Sequence, residues 1–75
     1  MTTQVVHQGD SGECVKTVQR LLKEMGFKDQ NSKQLVVDGN FGAKTTYALK
    51  NFQKSKGLKQ DGWCGPDTWN RLING

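Results

Sequence analysis

The chain uses one short phrase twice. Asp38-Gly39-Asn40-Phe41-Gly42 returns 23 residues later as Asp61-Gly62-Trp63-Cys64-Gly65, and Thr45 and Leu49 return as Thr68 and Leu72. An aspartate ahead of glycine accepts hydrogen bonds from the backbone of a tight turn, and glycine permits positive φ or close backbone approach. Each copy therefore reads as a turn that opens a helix. Gly42 suits a helix N-cap, and Ala48, Leu49 and Phe52 form an apolar stripe behind it. A weaker echo stands near the start, where Gly12, Val15, Val18 and Leu22 match Gly42, Thr45, Ala48 and Phe52 at an offset of 30. The pattern predicts an all-α, repeat-like domain of three turn-plus-helix units.

The helices are expected over residues 12–25, 43–56 and 66–73. In the first, Cys14, Val15, Val18, Leu21, Leu22 and Met25 recur with a period near 3.6, and Lys16, Gln19, Arg20, Lys23 and Glu24 are assigned to the opposite, polar side. Asp10 or Ser11 suits the N-cap, and Asp10 with Glu13 has capping-box spacing. Gly26-Phe27 and Gly57-Leu58 read as the same left-handed glycine cap used twice. Pro66 fits the first position of the third helix, where Trp69, Leu72 and Ile73 share a face. Residues 28–34 read as a polar loop, after which Leu35-Val36-Val37 approaches the core. Residues 1–8 form a lead-in and residues 9–75 the domain proper. Val5 and Val6 can pack on the core, and His7, without obvious acidic or thiol partners, reads as a surface residue.

At 75 residues the chain is one small domain that buries roughly 60% of its extended surface. It has little room for a deep substrate cavity. No apolar run approaches the roughly 18 residues of a membrane span. The first eight residues lack the charged start and apolar stretch of a signal peptide, so either the protein stays inside the cell or the chain is a piece of a longer secreted one, and the second is the preferred reading. A net charge of +4 favours a polyanionic partner or serves solubility alone. The two cysteines, Cys14 and Cys64, allow either one disulfide or two buried thiols.

From Gly9 to Ile73 the ordered set of motifs closely resembles the peptidoglycan-binding domain of bacterial cell-wall hydrolases. The residues that carry it are Gly9-Asp10-Ser11-Gly12, Gln19-Arg20-Leu21-Leu22, Gly26-Phe27, Asp38-Gly39-Asn40-Phe41-Gly42, Phe52-Gln53, Gly57-Leu58, Asp61-Gly62 and Thr68-Trp69. The resemblance implies a compact three-helix module without catalytic residues, which holds a linked amidase, peptidase or lysin on the wall outside the cell. It implies peptidoglycan as partner, through glycan strand or stem peptide, with no cofactor and no metal, and a monomer. The chain departs from the pattern in its longer loop 28–37, in its two cysteines, and in Trp63 where a small apolar residue is common.

Sugar rings are recognised by flat aromatic faces, and their hydroxyls by carboxylates and amides. The candidate ligand residues are Trp63, Tyr47, Phe41, Asn40 and Asp61. Trp63 and Tyr47 lead as a surface platform. Phe41 divides between ligand and core, Trp69 and Phe52 have core spacing, and Asp38 and Asp61 also read as turn-fixing groups. Lys44, Lys50, Lys54, Lys56 and Lys59 form either a solvated face or a patch for anionic wall polymers. One His and two separated Cys do not make a zinc site, and no carboxylate pair is placed for glycoside hydrolysis. Nucleic acid is disfavoured as a partner, because a helix-turn-helix wants a turn of about 3–4 residues rather than long glycine loops. A protein-interaction module without a glycan ligand is the remaining alternative.

Overall fold

The computed structural model describes residues 5–74. Within them three helices follow in order: α1 (Glu13–Glu24), α2 (Ala43–Ser55) and α3 (Pro66–Asn74). They lie within one residue of the expected spans at every boundary. Local chemistry explains this. Gly12 and Gly42 stand at the N-caps of α1 and α2, and Pro66 opens α3 with its preset φ and no N–H to waste. At the far end of α1, Gly26 donates to the carbonyl of Lys23 and Phe27 to that of Leu22. Gly57 and Leu58 repeat this on Lys54 and Gln53 after α2, so both helices end in the same Schellman closure.

The core is a single cluster. Val15, Val18 and Leu22 of α1 meet Ala48, Leu49 and Phe52 of α2 and Trp69 and Leu72 of α3, with Val6, Leu35, Phe41 and Cys64 filling in from the connections. Phe27 closes one end, its ring edge-on to Phe52 at 5.5 Å. The N-terminal echo is structurally real: Gly12 and Gly42 are both N-caps, and Val15/Thr45, Val18/Ala48 and Leu22/Phe52 are buried in both units.

Several expectations are corrected. Gln19 is not on the polar face of α1: it is 1% exposed. The period puts Cys14, Met25 and Ile73 inward, but all three are exposed, and each stands at or next to a helix end: Cys14 in the first turn of α1, Met25 just after it and Ile73 next to last in α3. Asp10 does not cap α1. Its carboxylate accepts the backbone N–H of His7 instead, and no side chain caps Gly12.

The connections are held by backbone pairing rather than by sheet. Val6 pairs antiparallel with Cys64, Ser11 with Asn40, and Lys28 with Gln34. Val6 and Cys64 exchange both hydrogen bonds, at 3.2 and 2.7 Å, so residues 5–8 run along the second Asp-Gly turn. In the loop after α1, buried Asp29 accepts the backbone N–H groups of Asn31 and Lys33, which makes that polar stretch a closed turn. Leu35 then enters the core as expected, while Val36 stays exposed. No disulfide joins Cys14 to Cys64. Cys64 is fully buried, and burial pushes its thiol up to about 12, so it stays protonated and inert. Cys14 lies exposed on the first turn of α1.

Candidate functional site

Two buried glutamines build the site. The side-chain amide of Gln19 on α1 donates to Asp38 Oδ1, to the carbonyl of Asn40 and to Thr45 Oγ1, each at 3.0 Å. Its oxygen accepts the N–H of Gly39 at 2.9 Å. Gln53 on α2 does the same to the second turn. It donates to Asp61 Oδ1 at 3.0 Å, to the carbonyl of Trp63 at 2.9 Å and to Thr68 Oγ1 at 3.2 Å, and accepts from Gly62 at 3.0 Å. Each aspartate also receives the N–H two residues on, from Asn40 and from Trp63. Each turn is thus pinned to the preceding helix by four hydrogen bonds to one side chain. The glycines are required: Gly39 and Gly62 hold φ of 80° and 73°. A Cβ on Gly39 would meet the stem of Lys16 at 3.2 Å, and one on Gly62 the stem of Lys50 at the same distance. Lys16-x-x-Gln19 and Lys50-x-x-Gln53 are therefore one gripping motif used twice.

These bonds set the charge state of the turns. The N–H of Asn40, the amide of Gln19 and nearby Lys44 hold Asp38 below its ordinary 3.8, against a smaller burial effect. The N–H of Trp63 does the same for Asp61, with Gln53 and Lys59 adding to it against burial. A depressed carboxylate stabilises the fold fully above its unfolded value, and that stability is lost as pH falls through the folded value. Denaturant midpoints are therefore expected to hold steady from pH 7 to about pH 5 and to fall below about pH 4. Asp61→Asn, which keeps an acceptor oxygen but cannot titrate, flattens that fall when followed by circular dichroism.

A groove opens beside each turn. The second, about 310 Å³, lies between Trp63, Asp61, Pro66, Asp67, Leu58 and Val5. The first, about 410 Å³, lies between Asn40, Asp38, Lys44, Gln30 and Val36. The sequence candidates are distributed as follows. Trp63 and Asp61 share the second groove, and Asn40 belongs to the first. Tyr47 is 45% exposed on α2 but lines neither groove. Phe41 is withdrawn as a ligand residue: at 2% exposure it is part of the core and presents no ring face. Asp61 spends Oδ1 on the turn, which favours its turn-fixing role.

Trp63 is 53% exposed. One face of its indole is backed by the His7 imidazole, with ring centroids 4.6 Å apart and planes inclined by 24°. His7 in turn is fixed by its Nδ1 contact with the Gln8 carbonyl at 2.9 Å, and its Nε2 lies 3.8 Å from the Asp10 carboxylate. The Gln8 side chain reaches Thr46 on α2. His7 is thus not solitary, and Asp10 is the acidic neighbour that linear spacing does not reveal. Among the described residues no group of three His, Cys, Asp or Glu side chains could hold a metal ion, and no described helix is long and apolar enough to cross a membrane. Lys44, Lys50, Lys54 and Lys59 are exposed.

A match to the peptidoglycan binding domain family covers residues 11–72, which takes in both glutamines, both turns, all of α1 and α2, and α3 as far as Leu72. The chain belongs to the peptidoglycan binding domain family. It is 42% identical over 72 residues to a spore cortex-lytic enzyme of Bacillus cereus, across 96% of this chain and 26% of that one. It is 38% identical over 65 residues to the zinc D-Ala-D-Ala carboxypeptidase of Streptomyces albus G, across 87% of this chain and 24% of the relative. The crystal structure of the SleB N-terminal domain superposes with a TM-score of 0.86 at 40% identity, covering 99% of this chain and 94% of that one. The chain thus spans about a quarter of the length of those two curated relatives and nearly all of a domain solved alone. In this peptidoglycan binding domain, residues 5–8, among them the His7 that stacks on Trp63, precede the matched span.

Proposed function

We propose that this peptidoglycan binding domain is a non-catalytic module that holds a linked hydrolase on the bacterial wall, outside the cell, with the groove beside Trp63 as its ligand site. The observation that carries this reading is the half-exposed indole of Trp63, stacked against His7 and lining a groove together with Asp61, Asp67 and Pro66. A fixed aromatic face beside carboxylates suits a sugar ring, whose C–H surface meets the indole while its hydroxyls donate to the acids. The relatives named as wall enzymes support peptidoglycan as the polymer. Tyr47, exposed on α2, is a secondary contact for a long strand. The chain acts as a monomer, and a module of weak affinity suffices because tethering raises the local concentration of the attached enzyme. The exposed lysines add a salt-sensitive attraction to anionic wall polymers.

Sedimentation with insoluble peptidoglycan, with and without teichoic acid, tests this across a salt series. The expected result is retention on the stripped wall that survives about 0.5 M salt, where exposed charge pairs are largely screened. Retention only on the teichoic-acid-bearing wall at low salt would reduce the module to a cationic patch. No retention on either wall would remove the reading and leave a protein-interaction role.

A further inference from the structure

Building on that reading of the Trp63 groove, we propose that the groove at the first Asp-Gly turn is a second binding site on the same polymer, taking a neutral sugar unit through polar groups instead of an aromatic face. The two grooves stand on one frame. The four contacts made by Gln19 and their four counterparts at Gln53 agree to within 0.2 Å. The groove walls then come from equivalent positions with different chemistry. Asn40 stands where the second turn has Trp63, Lys44 where it has Asp67, and Val36 where it has Lys59.

That exchange defines the occupant. Asp38 and Lys44 line the groove together and cancel in formal charge, so neither a polyanion nor a cationic group is drawn there. Asn40 and Gln30 are exposed. Among the described residues no side chain holds either amide, so both offer donors and an acceptor to hydroxyl and acetamido groups. Val36, 54% exposed, supplies a small apolar surface for the C–H face of a ring. Thr45, on the wall of the first groove, and Gln53, on the wall of the second, lie eight residues apart on α2, about 12 Å along the helix axis at 1.5 Å per residue. Both grooves thus border one helix, within the span of a glycan several sugar units long, so one strand can reach both sites and the second contact becomes intramolecular.

Backbone amide shifts of the 75-residue chain, titrated with peptide-free glycan fragments of one and of several disaccharides, test the proposal. The longer fragment is expected to shift amides at both turns, Gly39 to Lys44 and Gly62 to Asp67, and to bind about ten-fold or more tighter than a single disaccharide. The double variant Gln30→Ala, Asn40→Ala alters only exposed, unengaged amides. It should abolish the shifts at the first turn, keep those at the second, and bring the long fragment down to the affinity of the short one. Shifts confined to the second turn, with no gain from length, would overturn the second site and leave the Trp63 reading standing. Shifts at the first turn driven by teichoic acid but not by glycan would overturn the neutral-sugar assignment. Silence at both turns would sink the Trp63 reading along with it.

Discussion

Gln53→Ala is expected to remove a third or more of the stability of this chain. The side chain makes four hydrogen bonds and is 1% exposed. Truncation strands the buried N–H of Gly62 and the buried hydroxyl of Thr68, and leaves Asp61 with one partner fewer. Each buried polar group left unpaired costs about 1–3 kcal/mol, so a total near 4 kcal/mol is reasonable. A 75-residue domain has only about 4–11 kcal/mol to lose at the usual stability per residue. Urea denaturation followed by circular dichroism should show a much lower midpoint with little change in slope. Gln53→Glu should be as damaging, because it deletes the amide donors and places a carboxylate against Asp61. Lys54→Ala, one residue on and exposed, should leave the midpoint within about 0.5 kcal/mol of wild type. If Gln53→Ala melts like wild type, the clamp does not carry the turn.

Trp63→Ala is expected to do the opposite, sparing the fold and losing the wall. Half of the indole faces solvent, and the backbone of residue 63 keeps its bonds to Gln53 and Asp61 in the variant. A central aromatic contact in a binding site is worth about 2 kcal/mol or more, which is about a 30-fold loss of affinity at 1.4 kcal/mol per decade. Sedimentation on stripped peptidoglycan should show that loss, with a denaturation midpoint close to wild type. Trp63→Phe should retain part of the binding. Full retention by Trp63→Ala would move the site away from this groove.

The elements were legible because their signals are local. Glycine caps, a proline at N1 and an aspartate ahead of glycine act within a few residues, and all of them found their places. The two glutamines were not legible, because hydropathic period sorts residues by polarity and a polar residue that satisfies every atom inside breaks that rule. A signal did exist in Lys16-x-x-Gln19 and Lys50-x-x-Gln53. It was masked because Gln19 lies 19 residues before its aspartate and Gln53 only 8 before its own. The longer loop shifts the helical half of the repeat out of register with the turn half. The candidate site was half legible. Trp63 was found from its departure from the family pattern, whereas Phe41 at a neighbouring turn position went inward. His7 was missed because a ring stack between residues 7 and 63 leaves no trace in linear spacing.

The pairing of Val6 with Cys64 closes one long loop that contains both α1 and α2. Closing so long a loop before other contacts exist carries an entropic cost that grows with its length, so folding has every reason to join these residues last, after the helices have met. Two backbone bonds, one buried valine, the His7 stack on Trp63 and the exposed Gln8–Thr46 bond hold the segment there, whereas each glutamine clamp makes four bonds from a buried side chain. Hydrogen exchange in this molecule should therefore have two tiers. Gly39 and Gly62 are protected to the depth of global unfolding, and Val6 opens by a shallower local event that also releases the ring behind Trp63. The hardest and softest parts of the molecule thus meet at the same tryptophan.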